Sequence, residues 1–278
     1  ISFHALPADL SLGSIFSGLE DNIHVIMTEG AGAINLNGNW YGSLNEITPN
    51  NGYWVIMNTD ATLEISEAIP TSFEGDNLQY HLHAGNNLIS YPFSVEQALE
   101  DAISSEYVYS IWAIAGSGDA ALNTENGWAG SLNVFEPSMS YWIVTNESLD
   151  FHYNLPDYDA SLQRNSDGRV DAPDLFSFNQ STFQAFYWTY NADINGNTLV
   201  VGEDWIGAFY GDQCIGARVW SELSAGVPTD IPVMGYDDDI AGTENYIEAG
   251  EYPRFMIYDA SEDTYYDAKA YDNHLFEG

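Results

Sequence analysis

The chain repeats itself once, and this constrains its fold more than any other feature. Trp40-Tyr41-Gly42-Ser43-Leu44-Asn45 returns 88 residues later as Trp128-Ala129-Gly130-Ser131-Leu132-Asn133. At the same spacing Pro49 falls on Pro137, Tyr53-Trp54 on Tyr141-Trp142, Asn58 on Asn146, and Ile23 and Ile26 on Ile111 and Ile114. Even Ile1-Ser2-Phe3 falls on Ile89-Ser90-Tyr91. Similarity at a fixed period marks one supersecondary unit used more than once, so residues 1–75 and 89–153 are expected to superpose. The second copy is preceded by Gly85-Asn86-Asn87-Leu88, which has no counterpart before Ile1. The chain also lacks an initial Met, and we expect the natural protein to continue upstream.

Each copy reads as a strand, a short helix and further strands, an α+β unit. Ser94 to Ser105 carries good helix formers with Ala98, Ala102 and Ile103 on one face and Ser94 as a candidate N-cap. The matching stretch, Leu10 to Leu19, is interrupted by Gly and Ser. Asn37-Gly38 and Asn126-Gly127 lie between strand-like runs and predict hairpins. Tyr53 to Asn58 and Tyr141 to Asn146 predict aromatic, β-branched strands.

Residues 154–175, with Pro156, Pro173 and alternating Asp, Asn and Ser, break this pattern and predict a linker. Short aromatic strands then recur at Phe183 to Tyr190, Trp205 to Tyr210, Cys214 to Trp220, Ile231 to Gly235, Phe255 to Asp259 and Thr264 to Ala270. Such spacing favours a β-sandwich over 176–278. The expected fold class is α+β tandem repeats, 1–75 (N-terminally incomplete) and 76–153, followed by a mostly antiparallel β-sandwich, β-rich overall.

The repeat ending in Gly-Ser-Leu-Asn, with its following Pro and Tyr-Trp, forms one part of a resemblance. The other part runs from Phe178-Asn179-Gln180-Ser181-Thr182 through Asp204-Trp205-Ile206-Gly207-Ala208-Phe209 to Ile257-Tyr258-Asp259-Ala260. Together they resemble modules of large secreted or cell-surface proteins of marine bacteria, which often end in a type IX secretion sorting domain. The resemblance covers most of the chain, carries no assigned activity, and implies an extracellular or cell-surface location.

The charge balance removes whole classes of partner. Five Lys+Arg stand against 42 Asp+Glu, a formal charge of −37, and the first basic residue is Arg164. Affinity for a phosphate backbone comes from Lys and Arg that release counterions, so nucleic acid is excluded, and an anionic membrane surface by the same sign. Charged residues are only 17% and hydrophobics 45%, so the imbalance reflects missing bases in a chain that folds. Cys214, the single cysteine, excludes an internal disulfide and a cysteine zinc site, and its neighbours Ile215 and Gly216 predict a buried, inert thiol.

Three acidic loops are candidate calcium sites. Asn165-Ser166-Asp167-Gly168 through Asp174 is similar to the calcium loop of dockerin modules, but Gln163 stands where the first Asp belongs and Pro173 interrupts the following helix. Asp193, Asn195, Asn197, Glu203 and Asp204 alternate oxygens around an Asn-Gly turn; the competing reading is an ordinary hairpin with two surface acids. Asp237-Asp238-Asp239 with Glu244 and Glu248 follows the apolar run Ile231 to Met234; the competing reading is a hydrated acidic loop. Successive carboxylates repel unless solvated or neutralised, and with only Arg218, Arg254 and Lys269 after Asp174 a cation is the expected neutraliser.

His81, His83 and His152 would bind zinc or copper if they converged, but solvent-facing histidines are expected. Tyr187, Trp188 and Tyr190, or Trp40 with Tyr41, are candidate sugar-stacking platforms, whereas the repetition of Tyr53-Trp54 at Tyr141-Trp142 points to core packing. There is no GxSxG, HExxH or Gly-rich phosphate loop. The expected function is therefore a non-catalytic, calcium-stabilised structural or adhesive module of a larger bacterial surface protein or fibre. Its expected partners are other copies of itself or neighbouring surface domains. A polysaccharide-binding protein is the alternative, and a polysaccharide hydrolase a third.

Overall fold

Among the described residues strand accounts for 42% and helix for 6%, so the architecture is β-rich and the helices expected of an α+β unit are single turns there. The computed structural model describes residues 1–71, 78–156, 172–221 and 228–277. It divides into two compact units, 1–116 with 122–128 and 132–163, and 117–121 with 129–131 and 164–278. The dockerin-like stretch falls for the most part on 157–171, outside the described residues.

The expected helix Ser94 to Ser105 is one turn, Leu99–Ala102, capped by Ala98 rather than Ser94. Gln97–Ala98 is extended because it pairs with Val134–Phe135, and that ladder outweighs the weak helix propensity of so short a segment. In the first copy Ser11 caps Leu12–Ile15, its hydroxyl accepting the Ser14 N–H at 3.3 Å.

Two antiparallel sheets organise the first unit. One has the order Asn39–Gly42, Ala31–Leu36, Ile23–Thr28, Trp54–Met57. The other runs Gly127–Gly130, Ala120–Thr124, Ile111–Ala115, Ser140–Thr145, Gly85–Ser90, with residues 117–121 and 129–131 counted in the second unit. The pairings Ile23↔Met57, Val25↔Ile56, Ile26↔Val55 and Met27↔Trp54 match Ile111↔Thr145, Ala113↔Val144, Ile114↔Ile143 and Ala115↔Trp142, each 88 residues on, with a bulge at the same place.

The repeated residues hold this frame. A β-carbon at Gly42 would collide with the Gly32 carbonyl oxygen, and one at Gly130 with that of Ala120; φ is +152° and +137°. Only glycine tolerates both the contact and the angle. Next to them, the Ser43 hydroxyl accepts the Gly32 N–H and the Ser131 hydroxyl the Ala120 N–H, each at 3.2 Å. Leu44 and Leu132 are buried, while the carbonyls of Asn45 and Asn133 accept the N–H of Leu12 and Leu99. Tyr53 is fully buried against Phe3 at 5.9 Å, and Tyr141 against Phe135 at 4.8 Å.

In the second unit a four-stranded antiparallel sheet runs Gln213–Val219, Trp205–Tyr210, Arg254–Asp259, Thr264–Ala268, and Gln184–Thr189 pairs with Thr229–Met234. Ile206, Ala208, Ile215, Ile231, Val233 and Ile257 share the core of this unit, an arrangement compatible with a sandwich. Gly216 permits the close approach, since a β-carbon there would collide with the Pro232 carbonyl. On the opposite face of the larger sheet Phe176 packs over Gly207 and meets Phe209 and Tyr265 at 5.7 and 5.5 Å.

Candidate functional site

The segment between the strands Thr229–Met234 and Arg254–Asp259 carries the densest carboxylate chemistry. Gly235 makes a parallel bridge to Ile247 and the Tyr236 N–H reaches the Ile247 carbonyl at 2.9 Å, closing the loop on itself. Within it, ligand atoms of Asp237, Asp238 and Asp239 lie within 4.8 Å of one another, the only such group of three His, Cys, Asp or Glu among the described residues. Asp237 is buried and the other two are exposed. Its Oδ1 accepts the Asp239 N–H at 3.0 Å, its Oδ2 accepts the Thr182 hydroxyl, and the buried Thr243 hydroxyl accepts its N–H at 3.1 Å. A carboxylate triplet suits a hard cation, which needs six to eight oxygens. The loop's own hydrogen bonds already account for the burial of Asp237.

Glu244 lies beyond this triplet, its Oε2 accepting the Gly242 N–H at 3.0 Å. Hydrogen bonds from its own N–H and that of Gly242 hold its carboxyl below the usual range. It lines an open cleft of ≈ 630 Å³ with Tyr210, Gln213, Tyr246, Glu248 and Glu251. Tyr210 donates its hydroxyl to Glu251, which also accepts the Glu248 N–H at 2.9 Å. The tyrosine's donation, then the Glu248 N–H, lowers the Glu251 pKa, and the same hydrogen bond raises that of Tyr210.

The other candidate calcium residues lie apart from this triplet. Asp193, Asn195 and Asn197 belong to the small hairpin Asp193–Ile194/Asn197–Thr198, where Asn195 and Gly196 take φ of +53° and +86° and Asp193 Oδ1 accepts the Gly196 N–H at 2.7 Å. This is the turn geometry that Asn-Gly favours. Glu203 is exposed. Asp204 is 3% exposed and gives its two oxygens to the N–H groups of Val200, at 2.6 Å, and Ala260, at 3.0 Å. It ties two loops together.

The three histidines do not converge, since each has its own partner. His81 Nδ1 meets Asp150 at 2.5 Å, His83 Nε2 meets Glu29 at 2.5 Å, and His152 Nδ1 meets the Tyr107 hydroxyl at 2.9 Å. Among the candidate aromatics Tyr187 packs on Phe255 and gives its hydroxyl to the His274 carbonyl, and Trp40 packs on Phe16. Tyr41 and Tyr190 are exposed. A row absent from the sequence reading crosses three neighbouring strands, Trp205↔Tyr258↔Tyr265, all partly exposed. Cys214 is buried, which pushes its thiol up to about 11 and keeps it protonated.

A buried ion pair was also not legible in the sequence. Asp230 is fully buried, and Arg218 donates to its Oδ2 at 2.9 Å, to its carbonyl at 3.0 Å and to the Gly118 carbonyl at 2.5 Å. The Ser131 N–H and hydroxyl complete the set at 3.0 and 2.7 Å. Burial raises the Asp230 pKa, and Arg218 and Ser131 offset only part of that rise. Gly118 and Ser131 sit 13 residues apart in sequence and about 100 from Arg218 and Asp230, so no spacing signals the cluster. Comparison with protein-family models, with curated proteins and with solved structures returns no match.

Proposed function

We propose that the chain is a non-catalytic structural or adhesive segment of a larger extracellular surface protein, built on a duplicated unit and stabilised by calcium. One observation carries this reading: the residues that recur at 88 are spent on the frame itself. Gly42 and Gly130 admit a carbonyl, Ser43 and Ser131 accept a backbone N–H, and Tyr53 and Tyr141 fill the core. What the duplication preserves is a scaffold and not a set of reactive groups. Calcium is proposed at Asp237, Asp238 and Asp239, where three carboxylates share one loop in a protein of formal charge −37.

The second reading, polysaccharide binding, is favoured by the aromatic row Trp205, Tyr258 and Tyr265, which is partly exposed on one side of the sheet while packing against the Phe176 cluster, since aromatic rings stack on sugar faces. A glycan-array screen separates the two. Binding that is lost in Trp205→Ala replaces the structural reading with the carbohydrate one, and a silent array with extended assemblies in electron micrographs supports a structural module.

A further inference from the structure

The two copies meet through backbone contacts that are reciprocal. Ser90 of the second copy donates its N–H to the Asn50 carbonyl of the first at 3.0 Å. Ser2 of the first donates its N–H to the Ser138 carbonyl of the second at 2.8 Å. Moving each partner by 88 residues, in opposite directions, turns one bond into the other. The strand positions behind them also correspond, since the Tyr53 N–H bonds the Ile1 carbonyl and Tyr141 pairs with Ile89. An interface in which residue i meets j while j meets i is isologous: the same patch serves both sides.

An isologous seam has an axis, and residues on that axis must touch their own equivalents. Gly52 and Ser140 are 88 apart, and a β-carbon built on Gly52 would stand 2.5 Å from the Ser140 β-carbon. The same β-carbon would also stand 2.9 Å from Leu88 Cγ and 3.0 Å from the Ile89 carbonyl oxygen, with Ser140 the nearest of the three. A fused pair of copies can place a glycine on one side and a serine on the other, which two identical chains cannot do.

We propose that a local two-fold axis passes between Gly52 and Ser140, and that the seam is a self-recognition surface whose fitting partner is another copy of the same unit, supplied here by the chain itself. Because an isologous contact closes, this surface joins two units and stops. Growth of a fibre through it is not available, and the first-copy edge at Ile1 and Ser2 is occupied by Tyr53 and Ser138. Any assembly of the whole chain uses a different surface. The inference rests on the duplication within the proposed function and not on calcium or on sugar binding.

The test is side-chain exchange across the axis in the full chain, read by thermal unfolding. Gly52→Ser alone forces two β-carbons together and is expected to lower the midpoint by about 5 °C or more. Adding Ser140→Gly relieves the shortest contact while leaving those with Leu88 and the Ile89 carbonyl, and is expected to recover part of that loss. A double variant no more stable than the single one overturns the axis. Should Gly52→Ser fail to fold, paired cysteines replace it: Ser2→Cys with Ser138→Cys, and Asn50→Cys with Ser90→Cys, are both expected to cross-link within one chain on oxidation. Cross-linking of one pair only, or between chains, overturns the proposal. Either failure leaves the glycan-array and micrograph tests of the proposed function unaffected.

Discussion

The hydroxyl of Tyr53 accepts the backbone N–H of Thr48 at 2.7 Å, fastening the turn that leads into its own strand. Tyr141 does the same for Glu136 at 2.8 Å. Buried tyrosines need a partner for the hydroxyl, and here each ring fills the core while its oxygen satisfies a turn. Tyr53→Phe and Tyr141→Phe keep the rings and strand one N–H each, so each is expected to cost ~1–3 kcal/mol in chemical denaturation. Similar losses at the two positions are expected; a loss at one alone would show that the two turns are not equivalent.

The glycine before each repeated serine is expected to be irreplaceable. Gly130→Ala places a β-carbon against the Ala120 carbonyl at a φ of +137°, and should cost more than ~2 kcal/mol. Gly13→Ala is the control, because nothing lies within 4 Å of a β-carbon there and the residue sits in the helical turn Leu12–Ile15. It should be neutral or gain up to ~1 kcal/mol. Equal effects in urea titrations would remove the steric argument.

Removing the guanidinium from the buried pair has a signed pH dependence. Arg218→Met leaves Asp230 buried without its cation, at an expected cost of ~3–5 kcal/mol near neutral pH. Burial already raises the Asp230 pKa in the folded state. A carboxyl with a raised folded pKa favours folding most when protonated, below its unfolded pKa, and loses that contribution as pH rises through the folded one. The variant's deficit should therefore be smallest in acid and grow toward neutrality; a deficit independent of pH would assign the loss to packing.

Glu29 reaches from the first copy to His83 Nε2 at 2.5 Å and to the Leu88 N–H at 3.2 Å in the second. The Ala84 carbonyl, and then Glu29, raise the His83 pKa. The stabilisation is present below the unfolded histidine pKa and lost as pH rises through the folded value. An NMR titration of His83 should move toward the ordinary histidine value in Glu29→Gln while staying above it through Ala84. An unchanged titration would separate Glu29 from His83 in solution.

Calcium in millimolar excess is expected to raise the thermal midpoint over that in chelator at matched ionic strength, because an ion bound only by the folded state stabilises by mass action. Asp238→Asn with Asp239→Asn should abolish the difference while sparing Asp237, whose oxygens serve Thr182 and the Asp239 N–H. Identical curves for the parent protein would remove calcium from the proposal.

Strand positions, hairpins and the 88-residue correspondence were legible in the residues themselves, because alternation, Asn-Gly turns and the need for glycine beside a carbonyl are local properties. Trp205 to Tyr210 was read with its observed ends. The helix Ser94 to Ser105 was misread because the pairing of Gln97–Ala98 with Val134–Phe135 comes from far along the chain. Asp204 looked like a metal ligand for the same reason: composition shows an acid, while burial against Val200 and Ala260 makes it an acceptor of backbone N–H groups. The charge of −37 and the shortage of basic residues were thus settled by composition, as sums over residues that no fold can alter. The Arg218–Asp230 pair, the meeting of Gly52 with Ser140 and the Trp205, Tyr258, Tyr265 row were decided by tertiary structure alone, because each depends on which distant segments are brought within a few ångströms.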